Sequence, residues 1–464
     1  MKSASRRDVF WGYAASAVNV GAGLLLLPVI VRYQSAADVG LWFVFVALAS
    51  LAQLLDLGFQ PTVSRNCAYL FAGADKLTKE GVPDAERSAG DVSVDSLLQL
   101  VDAAKLIYLL ISIVAALVLV VGGGVYVDSL LTPTQDREVT LVAWVIFAAG
   151  YVISLYYGYL NGLLQGRGDV TQANKVVLIT RGSFIIFGAA AVMSGYGLLG
   201  LGVASLMSAL LGRIAAFVFF RAHAQFASVS QPTSTIASRF RLIGLLWVNA
   251  SKLAVAQVGG FLVLRGSVLL ASSMLGLVVA ASYSLTISVL SALSNMALVL
   301  CQTRMPLMSA LQVRNDSKTL GSIYGETIFI SGLVYAAGFV ALLAFGNQLF
   351  IFLGSQTTLI TLWPMVALGI VYFLEMNHGL SALFITTINQ VPFVRAALLS
   401  GLAFIFMSFV LLEPLGLWGL IVAQGVVQLA YNNWKWPLMA SKMLKKSIPA
   451  LYLSGLRSAL KRLG

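Results

Sequence analysis

Charged residues are scarce in this chain of 464 residues: Lys, Arg, Asp and Glu make up 10% of it, and 59% is hydrophobic. A soluble domain is typically about a quarter charged. So few charged side chains cannot give a soluble protein of this length a polar surface. Most of the surface must therefore face lipid. We therefore interpret the net charge of +12 as an excess of basic residues that sets the orientation of the protein in the membrane. We expect no nucleic-acid partner.

Side chains that carry chemistry are also few. The only cysteines are Cys67 and Cys301, and the only histidines are His223 and His378. This excludes a disulfide framework and leaves no cluster with the spacing of metal ligands. The sequence also contains no Gly-rich phosphate loop and no nucleophilic serine elbow. We therefore expect no metal, no cofactor and no catalytic residue, and a function of binding and movement that is not enzymatic.

Long apolar runs are what the sequence has in abundance. A membrane helix needs about 20 mainly apolar residues, and twelve segments meet that requirement. They are 10–32, 38–59, 104–126, 139–163, 175–194, 198–220, 243–265, 276–303, 323–345, 357–376, 394–413 and 416–437. The segment from Gln60 to Ala103 carries charges of both signs and is predicted to be solvated surface.

Basic residues predict the orientation of these helices. Most of the 30 Lys and Arg residues fall on the side of the amino terminus, and only Arg32, Arg137 and Arg265 lie at the opposite helix ends. Such an asymmetry places both termini in the cytoplasm. The prediction is a bundle 1–222, a cytoplasmic linker 223–242, a bundle 243–438 and a basic tail 439–464. Within the tail, the leucines after Pro449 suggest either an interfacial helix or a frayed segment.

Weak internal similarity relates the two halves. The sequence spacing between Gln53 and Gln60 equals that between Asn295 and Gln302. Asn19 in the first predicted helix also resembles Gln257 in the seventh. The fold class predicted is all-α, with about twelve membrane helices in two pseudo-symmetric six-helix bundles. Such duplication is a transporter architecture with the substrate path between the halves.

Charges inside the spans are the candidate binding residues, because charge at depth is expensive and usually faces a cavity. Arg181, Lys252 and Arg213 lie within predicted helices. Arg32 and Arg265 lie near outer helix ends, where snorkelling to the interface is an alternative.

Polar residues on the same helices would complete the lining of a cavity, although hydroxyl residues also serve helix packing. The candidates are Asn19, Asn174, Asn249, Ser284, Ser288, Ser291 and Asn295. Asp56 and Glu375 are the acidic residues in the spans, and each is a candidate for ion coupling or for an ion pair.

Several segments resemble a known family. They are Leu27–Tyr33 followed by Asp38–Trp42, Leu54–Gly58 followed by Arg65, and Tyr159–Gly168. These resemble the polysaccharide transporters of the multidrug/oligosaccharidyl-lipid/polysaccharide (MOP) superfamily, and within it the Wzx-type flippases of O-antigen repeat units. Gln34-Ser35 departs from the Leu-Gly turn usual in that family.

The resemblance implies a multi-pass protein of the bacterial inner membrane that serves lipopolysaccharide biosynthesis. It implies two six-helix bundles that open alternately, and a substrate of undecaprenyl pyrophosphate carrying an oligosaccharide. Candidate partners are this lipid-linked substrate, membrane lipids, a coupling proton or sodium ion, and polysaccharide polymerase or chain-length proteins. Two other functions remain open: a cation-coupled multidrug exporter of the same superfamily, and an integral-membrane glycan polymerase or ligase.

Overall fold

The computed structural model describes residues 11, 25–56, 58–74, 93–133, 135–222, 242–244, 246–247, 258–314, 316–388 and 392–463. These residues form helices joined by short turns. We number them α1 (25–33), α2 (Ala36–Leu54), α3 (Phe59–Phe71), α4 (Val94–Leu130), α5 (Arg137–Tyr156), α6 (Gly158–Arg167), α7 (Val170–Met193), α8 (Gly197–Arg221), α9 (Val258–Met274), α10 (Leu277–Val313), α11 (Ser317–Phe352), α12 (Leu362–Thr386), α13 (Val394–Leu415), α14 (Leu417–Ala430), α15 (Asn432–Met443) and α16 (Ile448–Leu463).

The helices confirm a multi-pass membrane protein. Eight of those described are long and apolar enough to cross a membrane, and Ala36–Leu51 and Val258–Met274 are shorter apolar helices. Many of their Leu, Val, Phe and Ile side chains are exposed on the outside of the protein. Lipid can solvate such side chains as well as other apolar side chains can, so these surfaces suit a bilayer.

The chain divides into two compact units. One comprises Met1–Gln34 and Leu41–Gln257, and the other comprises Ser35–Gly40 and Val258–Gly464. The sequence predicts a linker at 223–242 between two bundles. Residues 223–241 lie outside the described part, so the linker itself stays a prediction.

In the first unit, α4 contains a π-helical segment, Leu117–Gly123. The buried Trp144 of α5 packs against it and donates its indole N–H to the Leu119 carbonyl over 3.0 Å. A side chain at Gly123 would lie 2.5 Å from the Trp144 ring. The wider turn thus both frees a carbonyl and makes room for the indole.

The prediction of solvated surface is wrong for α3. Its Phe59, Val63, Cys67 and Leu70 are buried, and the helix packs against α6. The approach is close enough that a side chain at Gly166 would lie 2.2 Å from the Ser64 carbonyl oxygen. Hydropathy missed this helix because only one of its faces is apolar.

A break between Leu54 and Phe59 also corrects the expectation for Gln53 and Gln60. Gln53 lies on α2 and Gln60 on α3, with Gly58 in the left-handed conformation between the helices. The two glutamines therefore do not stand on one continuous helix. Their similarity to Asn295 and Gln302, which share α10, does not extend to the backbone.

The second unit is held together by polar contacts between long helices. Arg304 of α10 donates to Glu326 of α11 over 2.8 Å and to Thr327 over 3.1 Å, and Glu326 is buried. Tyr335 of α11 donates to the Gly369 carbonyl of α12 over 2.9 Å. These contacts fix the register of α10, α11 and α12.

The orientation predicted from basic residues can be tested with single cysteines at Gln135, Ser355 and Asp316. The first two should react with an impermeant maleimide added outside intact cells, and the third should not. The native thiols should add little background because Cys67 and Cys301 are buried, and burial raises the pKa of Cys67 to about 12. Labelling of position 316 from outside would overturn the orientation.

Candidate functional site

Two of the predicted cations lie on neighbouring helices in the first unit. Arg181 is on α7 and Arg213 is on α8, and the two helices are joined by the turn at Ser194–Tyr196. At about 1.5 Å of rise per residue, Arg181 lies about 20 Å and Arg213 about 26 Å from that turn. The antiparallel helices therefore bring the two guanidinium groups to similar levels.

Close packing fixes this pair of helices. A side chain at Gly212 would lie 1.9 Å from Thr180 Oγ1, and the Thr180 hydroxyl is itself held by donating to the Val176 carbonyl over 2.8 Å. Each of these residues is the immediate neighbour of one of the arginines. Only glycine at position 212 permits the approach that brings Arg181 and Arg213 near each other.

The two arginines have no acidic partner among the residues that the structure describes. Arg213 is half-buried and donates through Nη1 to the Tyr157 carbonyl over 3.4 Å, but its buried Nε has no partner. The charge of Arg181 acts on Arg213, and Arg181 is exposed. Neither arginine forms a salt bridge with another described residue.

The other predicted cations are placed differently. Arg32 is exposed, and its guanidinium lies 5.6 Å from the centre of the Tyr33 ring. Arg265 is half-buried and precedes the helical segment Gly266–Met274. Lys252 lies outside the described residues. The structure thus places Arg181 and Arg213 on adjoining helices, and no described contact within the first unit joins Arg32 to them.

The predicted polar lining is partly packed and partly accessible. Along α10, Ser284 is fully buried, Ser288 and Ser291 are half-buried, and Asn295 is exposed. Ser288 donates to the Ser284 carbonyl over 2.7 Å, which is a local helix contact. Asn174 of α7 is half-buried. Asn19 and Asn249 lie outside the described residues.

Asp56 lies in the turn between α2 and α3. Its carboxyl faces the hydroxyl of Tyr108, and Tyr108 is 1% exposed. Asp56 Oδ1 and Tyr108 Oη make no hydrogen bond of good geometry. Within the described chain Asp56 also forms no salt bridge, so the ion-pair interpretation gains no partner.

Glu375 of α12 has one amide donor. Gln424 of α14 donates to its Oε1 over 2.9 Å, and no described cation forms a salt bridge with it. Three buried tyrosines from three helices lie near its carboxyl, namely Tyr283, Tyr335 and Tyr372. Gln424 was not among the residues predicted from the sequence, although a glutamine in the apolar run Leu420–Val427 was a signal.

Other donors do not assemble into a metal site. No group of three or more His, Cys, Asp or Glu side chains among the described residues could hold a metal ion. His378 contacts the Asn433 side chain through Nδ1 at 2.8 Å. Each unit therefore offers one candidate group of residues: a pair of cations in the first unit, and a carboxyl with tyrosines in the second.

The solved structures to which this chain is similar include transporters. A multidrug resistance MATE family transporter of the MOP superfamily, in an inward-facing conformation, is 13% identical over 93% of this chain and 96% of its own, with a TM-score of 0.65. A MATE in complex with MaL6 is 16% identical over 95% and 96%, with a TM-score of 0.55.

A third similar structure is a MOP superfamily transporter from Pyrococcus furiosus. It is 14% identical over 95% of this chain and 96% of its own, with a TM-score of 0.52. Its description states that the reverse polarity of its binding pocket suggests a different function. No family model and no curated protein matches the sequence. The chain thus has the fold of these MATE transporters, and eight of its described helices are long and apolar enough to cross a membrane.

The contact between α7 and α8 generates a stability prediction. Gly212→Ala places a methyl group against Thr180 Oγ1, and overpacking of this kind costs about 1–3 kcal/mol. The purified variant should therefore have a lower Tm. Adding Thr180→Ala should restore much of the loss because it removes the obstructing hydroxyl.

The matched control is Gly182→Ala, next to Arg181, where a side chain meets nothing within 4 Å. Alanine also favours a helix over glycine by about 1 kcal/mol, so this variant should keep or raise the Tm. Equal Tm values for the two alanine variants would contradict the packing described.

Proposed function

We propose that this protein transports an anionic, amphipathic substrate across the membrane, and that Arg181 and Arg213 attract its charged group. The observation that supports this proposal most directly is the pair of arginines. They lie on adjoining membrane helices, and Arg213 has a buried N–H that has no partner. The MATE-like fold supports transport in general. We further propose that Lys252, Arg265 and Arg32 contribute positive charge along the substrate path.

The energetics of buried charge support an anionic ligand. A guanidinium removed from water without a partner loses several kcal/mol of solvation. The positive charge of Arg181 adds repulsion at the half-buried Arg213, which a bound anion would relieve. Water can solvate the exposed Arg181 in the empty state, and a phosphate in the loaded state would accept the donors of both side chains, which suits the planar guanidinium.

The resemblance to Wzx-type flippases favours a lipid-linked oligosaccharide as the substrate. Undecaprenyl pyrophosphate carries the anionic group, and its sugars could contact polar side chains such as Asn174, Ser288, Ser291 and Asn295. The proposed process moves O-antigen-like repeat units from the inner to the outer leaflet of the bacterial inner membrane. Glu375, with no described cation beside it, is the stronger candidate for proton or sodium coupling, and Asp56 is the second.

Export of drugs is the competing function, and two observations favour it. The similar structures include multidrug resistance transporters, and Glu375 offers a carboxyl that could bind a cationic drug. The Pyrococcus structure, described as having a pocket of reverse polarity, supports the view that this fold accepts ligands of either sign. The charge of the substrate is therefore the property to test.

Charge reversal distinguishes the two substrates. In cells deleted for this protein, we expect surface polysaccharide to be lost while lipid-linked repeat units accumulate facing the cytoplasm. Arg181→Glu, Arg213→Glu or Lys252→Glu should restore display at least about tenfold less well than the wild type at equal membrane abundance. Arg181→Lys should retain part of the activity if a point charge suffices.

Arg221→Glu is the control, because Arg221 is an exposed cation at the end of α8 with its guanidinium over the Phe217 ring. It should support normal display. Full polysaccharide display in all three of the other charge-reversal variants would contradict the proposal. If the deletion strain displayed polysaccharide normally and became more sensitive to cationic drugs, multidrug export would be the supported function.

A further inference from the structure

The carboxyl-terminal helix α16 is a packed part of the second unit and not a frayed tail. After α15 the chain reverses in a tight turn in which Lys445 has φ 51°. The Ser441 hydroxyl donates to the Lys446 carbonyl over 2.5 Å, and the Lys446 N–H donates to the Ser441 carbonyl over 3.2 Å. These bonds fix the direction in which α16 leaves the turn.

One face of α16 lies directly on α11. A side chain at Gly325 would meet the Leu451 carbonyl oxygen at 2.6 Å, and one at Gly455 would meet the Gly325 carbonyl oxygen at 2.1 Å. Leu451 is 1% exposed. Lys446 lies beside Gly321 and Gly455 beside Phe329, so α16 runs alongside the first part of α11 in the same direction.

The same helix is also bonded to α12. The Tyr452 hydroxyl donates to Asn377 Oδ1, and the Asn377 amide donates to the Phe373 carbonyl over 3.4 Å. Asn377 shares its helical turn with Glu375 and His378. Helix α16 therefore contacts α12 at the turn that carries the buried carboxyl.

The opposite face of α16 is apolar and basic. Leu453 is 56% and Leu456 37% exposed, and Arg457 beside them is exposed too. The sequence from Pro414 to Gly464 contains no acidic residue, and its basic residues are Lys435, Lys442, Lys445, Lys446, Arg457, Lys461 and Arg462. Leucines alternating with cations are typical of helices that bind at the surface of an anionic bilayer.

We propose that this outer face of α16 binds anionic phospholipid of the adjoining leaflet, and that the bound lipid presses α16 onto α11 and α12. Charge complementarity selects the occupant, since a segment with only positive charges is drawn to an anionic lipid surface. The exposed leucines select a bilayer over a nucleic acid, which would leave them in water. The lipid would thereby stabilise the turn of Asn377 and Glu375 through Tyr452.

Hydrogen–deuterium exchange on the full-length protein tests this in nanodiscs of phosphatidylcholine with and without about 30% phosphatidylglycerol. The amides of 450–457 should exchange at least about tenfold more slowly with the anionic lipid, and those of 372–380 should slow as well. In Tyr452→Phe, slowing should persist in α16 and diminish in α12. Inorganic phosphate in neutral nanodiscs should have no effect.

The combined variant Lys445→Gln, Lys446→Gln and Arg457→Gln should lose most of the response to lipid. Lys318→Gln, which removes an exposed cation of α11, should keep it. Equal exchange of wild-type α16 in the two lipids would overturn the proposal, and so would slowing by phosphate alone. The wild-type comparison needs no substitution, so it stands even if a variant fails to fold.

Discussion

A charge inside an apolar helix bundle must find a counter-charge, a polar group or water, and this constraint organises the protein. In the second unit Arg304 and Glu326 satisfy each other at 2.8 Å. In the first unit the one described partner of Arg213 is the Tyr157 carbonyl, and its neighbour is a second cation, Arg181. Charges that the protein itself leaves uncompensated indicate where a ligand would act.

Close helix packing holds these charges in place. Gly212 lets α8 approach Thr180 of α7, and in the second unit the tyrosines around Glu375 come from three helices that are tied by bonds such as Tyr335 to Gly369. If one of these contacts loosened, the charged side chain beside it could rotate towards water. The close approach at Gly212 therefore fixes both the packing of α7 on α8 and the positions of the two arginines.

Hydropathy predicts much of this architecture because lipid requires long apolar helices. The predicted spans 198–220 and 394–413 correspond to Gly197–Arg221 and Val394–Leu415. The amphipathic α3 escaped detection because it is apolar on one face only. The bond from Gln424 to Glu375 and the contact of α16 with α11 were also out of reach, since partners distant in sequence leave no local pattern.

The central claim is that the unpaired cations bind an anionic lipid-linked group, and a direct binding measurement tests it. Purified protein in neutral nanodiscs should bind undecaprenyl pyrophosphate at least about tenfold more tightly than undecaprenol, a difference of about 1.4 kcal/mol. The double variant Arg181→Gln and Arg213→Gln should lose most of that preference. Equal affinity for the two lipids in the wild type, or an unchanged preference in the double variant, would contradict the account.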